Sequence, residues 1–310
     1  MQVNILKGIL LKLVSAFMFA VMAALVRSLG EAIPVGQVVF FRAAFAIVPV
    51  VVIYAVRNQL KAAAHTKRLP GHVGRGLVGL AGMFCNFASL ARLPLAEATA
   101  ISFAGPLITV ALAAIMLKER VRIYRWSAVG VGFLGVLVML APHFDVARLT
   151  GAHTSTQTLG AILAFTGAWC NAGAVIQTRR LTDTETTSSI VFYFSLVCAV
   201  GGLLTLPFGW ATPTSWQLAA LIATGLIGGL SHLILTESYR YAPASVVAPF
   251  DYTAILFAFL LGYFMFGEVP TFIVVIGAAI VVGAGLFVLW RERQLGLKRA
   301  RDAEGPPSGA

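Results

Sequence analysis

The sequence predicts an all-α polytopic membrane protein of ten transmembrane helices arranged as a 5+5 inverted-topology repeat, and three observations carry the prediction. The first is composition. Of 310 residues, 59% are hydrophobic and 11% charged, with a mean hydropathy of +0.88, whereas soluble domains carry roughly 25% charged residues. So few charges cannot clothe a water-facing surface, and most of the exterior must face lipid. The second is a series of apolar runs of membrane-crossing length, separated by charged residues or by Pro and Gly. The third is self-similarity at two fixed offsets.

The runs define the elements in order. Spans 8–26 and 35–56 flank the first outer turn, and 74–91 follows the basic stretch around Lys67 and Arg68. Pro94 separates the third span from the fourth, 95–117, and Lys118 to Arg125 precedes the body of the fifth, 123–141. The second half supplies 158–178, 187–207, 216–236, 244–266 and 271–290, with Pro243 before the ninth and Gly267 to Pro270 after it. The first run has the outline of a secretory signal, but the same pattern recurs mid-chain, where a signal peptide has no place.

Sliding the chain by 149 pairs Gly76 with Gly225, Gly79 with Gly228, Ser89 with Ser238, Pro94 with Pro243, Met116 with Met265 and Glu119 with Glu268. Sliding by 152 pairs Gly8 with Gly160, Ala16 with Ala168, Arg27 with Arg179 and Phe40 with Phe192. These pairings divide the chain into a first five-helix repeat at 1–141, an outer linker at 142–157, a second repeat at 158–290 and a basic tail at 291–310, expected to be disordered. An odd number of spans per repeat sends the second copy in from the opposite side. Charge agrees: with the N-terminus in the cytoplasm, nineteen of the 23 Lys and Arg fall inside, Arg27, Arg92 and Arg148 fall outside, and Arg42 lies within a span, as the positive-inside rule requires. The formal net charge of +11 therefore faces anionic inner-leaflet lipid, which removes nucleic acid as a partner. Cys85, Cys170 and Cys198 lie in apolar runs without ligand spacing, so neither a disulfide framework nor a metal site is expected.

Inverted repeats with short loops belong to secondary carriers, whose halves rock about a midplane site. The polar residues inside the bilayer locate candidates for that site. Arg42 sits about seven residues, or ~10 Å, into the second span; intramembrane arginines mark pathways or ion pairs, unless the side chain snorkels outward. Asp251 has three open roles: substrate ligand, proton-coupling carboxylate, or hydrated vestibule residue. Glu97 at the outer start of the fourth span is either a mouth contact or a carboxylate favoured by a helix N-terminus. Glu237 and Arg240, three apart, read as a helix-surface ion pair.

Pro106 and Pro249 break the fourth and ninth helices, and such broken segments line carrier cavities. Ser102, Pro106 and Thr109 make one polar stripe; Ser245, Pro249 and Tyr252 make another. Gly79, Gly82 and Asn86 share a face of the third span. His232 is a proton-carrying candidate or a packing residue, and Trp169 with Asn171 a stacking wall or a lipid-facing surface. The glycine-bearing fifth and tenth spans read as outer scaffold, with a possible homodimer face. The five histidines are scattered and no nucleophile–base constellation converges, so no catalytic residue, cofactor or metal is expected. A channel or a non-transporting sensor is the alternative.

The run from Leu90 to Leu140, with Leu93-Pro94-Leu95-Ala96-Glu97-Ala98, Leu117-Lys118-Glu119-Arg120 and Gly132-Phe133-Leu134-Gly135, resembles the EamA-type branch of the drug/metabolite transporter superfamily. So does Tyr241-Ala242-Pro243 through Pro249-Phe250-Asp251-Tyr252 to Gly267-Glu268. The resemblance implies a ten-helix carrier of the bacterial inner membrane, both termini cytoplasmic, with spans five and ten peripheral. It also implies a small polar organic solute: an amino acid, vitamin, sulfonium or amine metabolite, or drug. The substrate-binding candidates are Arg42, Trp169, Asn86, Ser102, Thr109, Asp251 and Tyr252; the proton-coupling candidates are Asp251, Glu97 and His232; Pro106 and Pro249 are the gating breaks.

Overall fold

A computed structural model of the chain describes residues 5–56, 65–118, 122–143, 156–182, 184–242 and 244–304. Its helices are α1 (Ile5–Leu29), α2 (Val35–Val56), α3 (Leu69–Arg92), α4 (Leu95–Ser102), α5 (Ala104–Met116), α6 (Ile123–Leu140), α7 (Thr156–Leu181), α8 (Thr187–Leu203), α9 (Ser215–Tyr241), α10 (Ala244–Val247), α11 (Thr253–Phe266) and α12 (Phe272–Glu304). No strand occurs among the described residues. Eight helical stretches are long and apolar enough to cross a membrane, and two shorter apolar ones, Val35–Pro49 and Phe250–Phe266, join them. Lipid offers no hydrogen bonds, so spanning backbone must close its own, and helices do so. The chain is a polytopic helical membrane protein.

The fourth and ninth spans are not continuous helices. Phe103 interrupts the fourth between α4 and α5, because Pro106 has no N–H to offer the Ser102 carbonyl. In the ninth, a 3-10 turn at Ala248–Tyr252 stands between α10 and α11. Pro249 belongs to that turn; its side chain lies outside the described ones.

Small residues set the helix spacing. A Cβ on Gly82 of α3 would lie 2.7 Å from Asn171 Oδ1 of α7, and one on Gly167 of α7 would lie 2.8 Å from Asn86 Oδ1 of α3. Between α6 and α12, a Cβ on Gly135 would meet the Gly277 carbonyl oxygen at 2.9 Å, and one on Gly277 would meet the Gly135 oxygen at 2.6 Å. The glycines expected to present a dimer face are thus largely spent inside one chain. Gly132 packs on Leu107 and Gly285 on the Tyr252 phenol, while Gly130 and Gly283 face open space.

Charges tie the helix ends together. Arg27 at the end of α1 donates to Glu268 Oε1 at 3.0 Å and to the Leu90 and Ala91 carbonyls closing α3. Glu268 Oε2 accepts the Leu95 N–H of α4 at 2.7 Å. Gly267 places that carboxylate: at φ +64° it ends α11 in the left-handed conformation, with its own N–H on Tyr263 O and the Glu268 N–H on Gly262 O. Arg92 of α3 pairs with Glu31 at 3.1 Å.

At the opposite ends, Lys7 donates to the Tyr241 hydroxyl at 3.0 Å, and Lys12, 2% exposed, pairs with Asp251. The Glu237–Arg240 surface pair forms at 3.1 Å, as its spacing predicts. Beyond α7, Glu185 accepts the Lys67 N–H at 2.9 Å and approaches buried His72 Nε2 at 3.4 Å. Burial pushes the Glu185 carboxyl up, but the Lys67 N–H, with His72 and Thr66, outweighs it and holds the group below the usual carboxylate range.

Two expectations change. Arg42 is not the one base inside the spans: Lys12 falls within 8–26 and Arg75 within 74–91, and both stand in helices, α1 and α3. The segment after Trp290 is helix to Glu304, not a disordered tail, because Arg, Glu, Gln, Leu, Lys and Ala there are strong helix formers. The linker 142–157 lies mostly outside the described residues, as does Glu119.

Replacing Glu268 with Gln removes a charge that serves two helix ends. Thermal denaturation in detergent should show a loss of about 1.5–3 kcal/mol, and an unchanged midpoint would place the fastening elsewhere. The depressed Glu185 carboxyl stabilises the fold fully above the ordinary carboxylate range and ceases to as pH falls through its lowered folded value. The wild type should therefore lose more melting temperature than Glu185→Gln between about pH 6 and about pH 4; equal losses would exclude Glu185 as the acid-sensitive group.

Candidate functional site

Three chambers run through the bundle and share walls. The first, about 300 Å³, lies between α1, α2, α3, α7, α8 and α9 and is lined by Arg42, Arg75, Asn86, Asn171, Phe194 and His232 among others. The second, about 290 Å³, shares Met22, Asn86, Phe87 and Asn171 with the first and adds Thr99 and Ser102. The third, about 430 Å³, shares Phe19, Ser102 and Phe103 with the second and reaches Pro106, Asp251, Tyr252 and Gly285.

The helix breaks build the middle of this path. With both spans interrupted at Phe103 and at 248–252, the two segments approach closely enough for the Phe103 and Tyr252 rings to stack, centroids 5.2 Å apart at 30°. Gly285 makes room for the Tyr252 phenol. Asp251 opens into the third chamber from one side and meets Lys12 on the other; its side chain is 50% exposed.

The first chamber holds the strongest electrostatics. Arg42 is 5% exposed and, among the described residues, has neither a hydrogen bond nor an ion pair. Its Nε and Cζ lie 3.4 and 3.6 Å from where a Cβ on Gly228 would stand, so this glycine leaves the guanidinium its place. Arg75 donates from Nε to Thr178 Oγ1 at 3.0 Å and lies 4.0 Å over the Phe194 ring. Its Nη1 is buried without a partner. His232 packs edge-on to Phe19 at 4.9 Å. Among the described residues, the chamber lining contains no Asp or Glu.

Of the residues singled out in the sequence, the structure brings Arg42, Asn86 and His232 to the first chamber, Ser102 to the second and third, and Pro106, Asp251 and Tyr252 to the third. Trp169 lines none of the three and is 45% exposed. Helix pitch explains this: Gly167 and Asn171, four apart, face α3, and Trp169 lies two residues, some 200°, from each. The Thr109 hydroxyl turns back to the Gly105 carbonyl at 2.8 Å and also lines none of them. Glu97 is buried near the start of α4 and is likewise absent from these walls.

Arg75 is the residue that sequence reasoning missed, counted as an inner-loop base. Its signal was present. It stands four residues before Gly79 and eleven before Asn86, on the α3 face already read as polar and small.

Comparison with known proteins places these features in context. A family model described as the EamA-like transporter family matches residues 6–141 and again 158–290. The pseudopaline exporter CntI of Pseudomonas aeruginosa (strain UCBPP-PA14) is 30% identical over 92% of this chain and 96% of its own. The S-adenosylmethionine uptake transporter of Rickettsia prowazekii (strain Madrid E) is 32% identical over 93% of this chain and 94% of its own. A riboflavin transporter of Rhizobium johnstonii is 32% identical over 71% and 70%. A solved structure, described only as a crystal structure of protein, superposes with a TM-score of 0.63 over 93% of this chain and 98% of its own at 18% identity, and so shares the fold.

A buried guanidinium without a protein partner destabilises the fold. Arg42→Met, similar in volume and uncharged, should raise apo stability by about 1–4 kcal/mol, read as a higher melting midpoint in detergent. A lower midpoint would show that Arg42 has a structural partner.

Proposed function

The chain belongs to the EamA-like transporter family, and from that premise we propose that its two matched segments are a 5+5 inverted repeat that moves solute by alternating access. It is a bacterial integral membrane protein and a small-metabolite transporter. In the proposed arrangement both termini are cytoplasmic, 1–141 and 158–290 are the two repeats, and the breaks at Phe103 and 248–252 are where the halves flex.

The observation that carries this reading is a set of paired contacts that obey the sequence offsets. Phe103 and Tyr252, 149 apart, stack on each other at the two helix breaks. Lys118 and Gly267, also 149 apart, both take a positive φ, 54° and 64°. Gly8 abuts Ala242 and Gly160 abuts Leu93; Gly225 abuts Phe45 and Gly76 abuts Val197. In each of these couples one member is offset by 152 and the other by 149. Residues related by a two-fold axis in the membrane plane make such reciprocal contacts.

Within this cycle Arg42, Asn86, Ser102 and Tyr252 contact the solute along the chambers. Lys12–Asp251 and Arg27–Glu268 are latches at opposite ends of the bundle, each made or broken as the halves rock. Coupling to protons runs through Asp251, with Glu97 and His232 as further candidates. Thr109 and Trp169 line none of these three chambers and stay candidates beside them. The relatives are named for pseudopaline, S-adenosylmethionine and riboflavin, and a small metabolite is the proposed solute here. The channel and sensor readings are disfavoured by relatives named as transporters. A homodimer through α6 and α12 would rest on Gly130 and Gly283, the glycines there with open space.

Proteoliposomes loaded with unlabelled metabolite pools and assayed for uptake of labelled S-adenosylmethionine, riboflavin and amino acids test the cycle. Saturable uptake, stimulated by solute on the far side, is expected for at least one pool. A steady ohmic conductance without such exchange would establish a channel instead.

A further inference from the structure

We infer that the chamber holding Arg42 and Arg75 is a binding site for a small dicarboxylate, one carboxylate for each guanidinium. The inference rests on the carrier reading above and narrows its substrate class.

Two arginines converge on one chamber of about 300 Å³ whose lining, among the described residues, contains no carboxylate. That volume is at the lower end of small-molecule sites, ~300–1,000 Å³. Neither guanidinium is neutralised. Arg42 has no hydrogen-bond or ion-pair partner among the described residues, and Arg75 uses only Nε, on Thr178, leaving Nη1 buried and unbonded. Burying two like charges without partners is costly in a medium of low dielectric. The neighbouring helices nevertheless hold them there: Gly228 leaves room beside Arg42, and the Phe194 ring supports the Arg75 plane.

The chemistry of the missing partner follows from the donors. A guanidinium presents parallel N–H groups that a carboxylate accepts two at a time, and two such forks in one chamber match two carboxylates on one solute. A neutral or cationic solute would leave both charges unpaired or add a third. A monocarboxylate would satisfy one fork only. Asn86, Asn171 and His232 on the same walls are hydrogen-bonding groups for the solute's uncharged part.

Isothermal titration of the purified full chain in nanodiscs with malonate, succinate, glutarate, acetate and choline tests this directly. At least one dicarboxylate should bind. Acetate should be weaker by about tenfold or more, as expected for loss of one charged hydrogen-bonded pair, and choline should not bind. Arg42→Gln and Arg75→Gln should each weaken the dicarboxylate by about tenfold or more. Arg42→Lys and Arg75→Lys keep the charge, guard against misfolded variants, and should fall between wild type and Gln. Absence of dicarboxylate binding to the wild type, binding indifferent to both Gln changes, or preferential choline binding would overturn the inference. Failure of the carrier reading looks different. Dicarboxylate binding without exchange in proteoliposomes would keep the site and remove the cycle, whereas exchange of other solutes unaffected by the Gln changes would keep the cycle and remove the site.

Discussion

Lipid supplies no hydrogen bonds, and nearly every feature of this molecule answers that constraint. The backbone closes on itself in helices because no other partner exists at that depth. Where the fourth and ninth spans break, Phe103 and Tyr252 stack on each other and line the third chamber. Hydroxyls on the helices mostly turn back onto their own backbone, as Ser102 does to Thr99 O and Thr109 to Gly105 O. Glycines then bring neighbouring helices into contact, since in lipid close packing must supply the attraction that the hydrophobic effect supplies in water.

The same constraint sorts the charges. Near the helix ends they are paired and often multiply bonded: Glu268 serves Arg27 and the α4 N-terminus together, and Asp251 meets Lys12. Pairing there fastens elements without leaving a naked charge in the interior. In the centre the pattern reverses. Arg42 and Arg75 carry charge into a chamber whose described lining contains no acid.

Much of this was legible in the sequence. Apolar runs and positive-inside charge give the spans, because insertion reads one segment at a time. The two offsets relate the contact of Gly8 with Ala242 to that of Gly160 with Leu93, which only the structure shows, and Arg42 was conspicuous for its depth. What misled was the treatment of span edges. Arg75 and Lys12 count as inner-side bases by charge, yet each falls just inside its apolar run and stands within a helix that carries its long side chain inward. Trp169 looked like a wall because an aromatic within a span attracts notice, yet its side of α7 is set by Gly167 and Asn171. The glycines of the fifth and tenth spans suggested a partner copy, and most turned out to serve contacts within one chain.

The sequence by itself determined that this chain lives in a membrane, how many apolar segments it has, where proline interrupts them and which residues echo each other across its two halves. Those properties follow from composition and local order, which each segment expresses alone. Only the tertiary structure decided that Arg75 joins Arg42, that Lys12 reaches Asp251, that Phe103 lies on Tyr252 and that Glu268 ties three helices. Such meetings depend on rotation and depth of one helix against another, set by close approach at glycines such as Gly82, Gly167 and Gly228, and no single segment encodes which side chain will stand opposite.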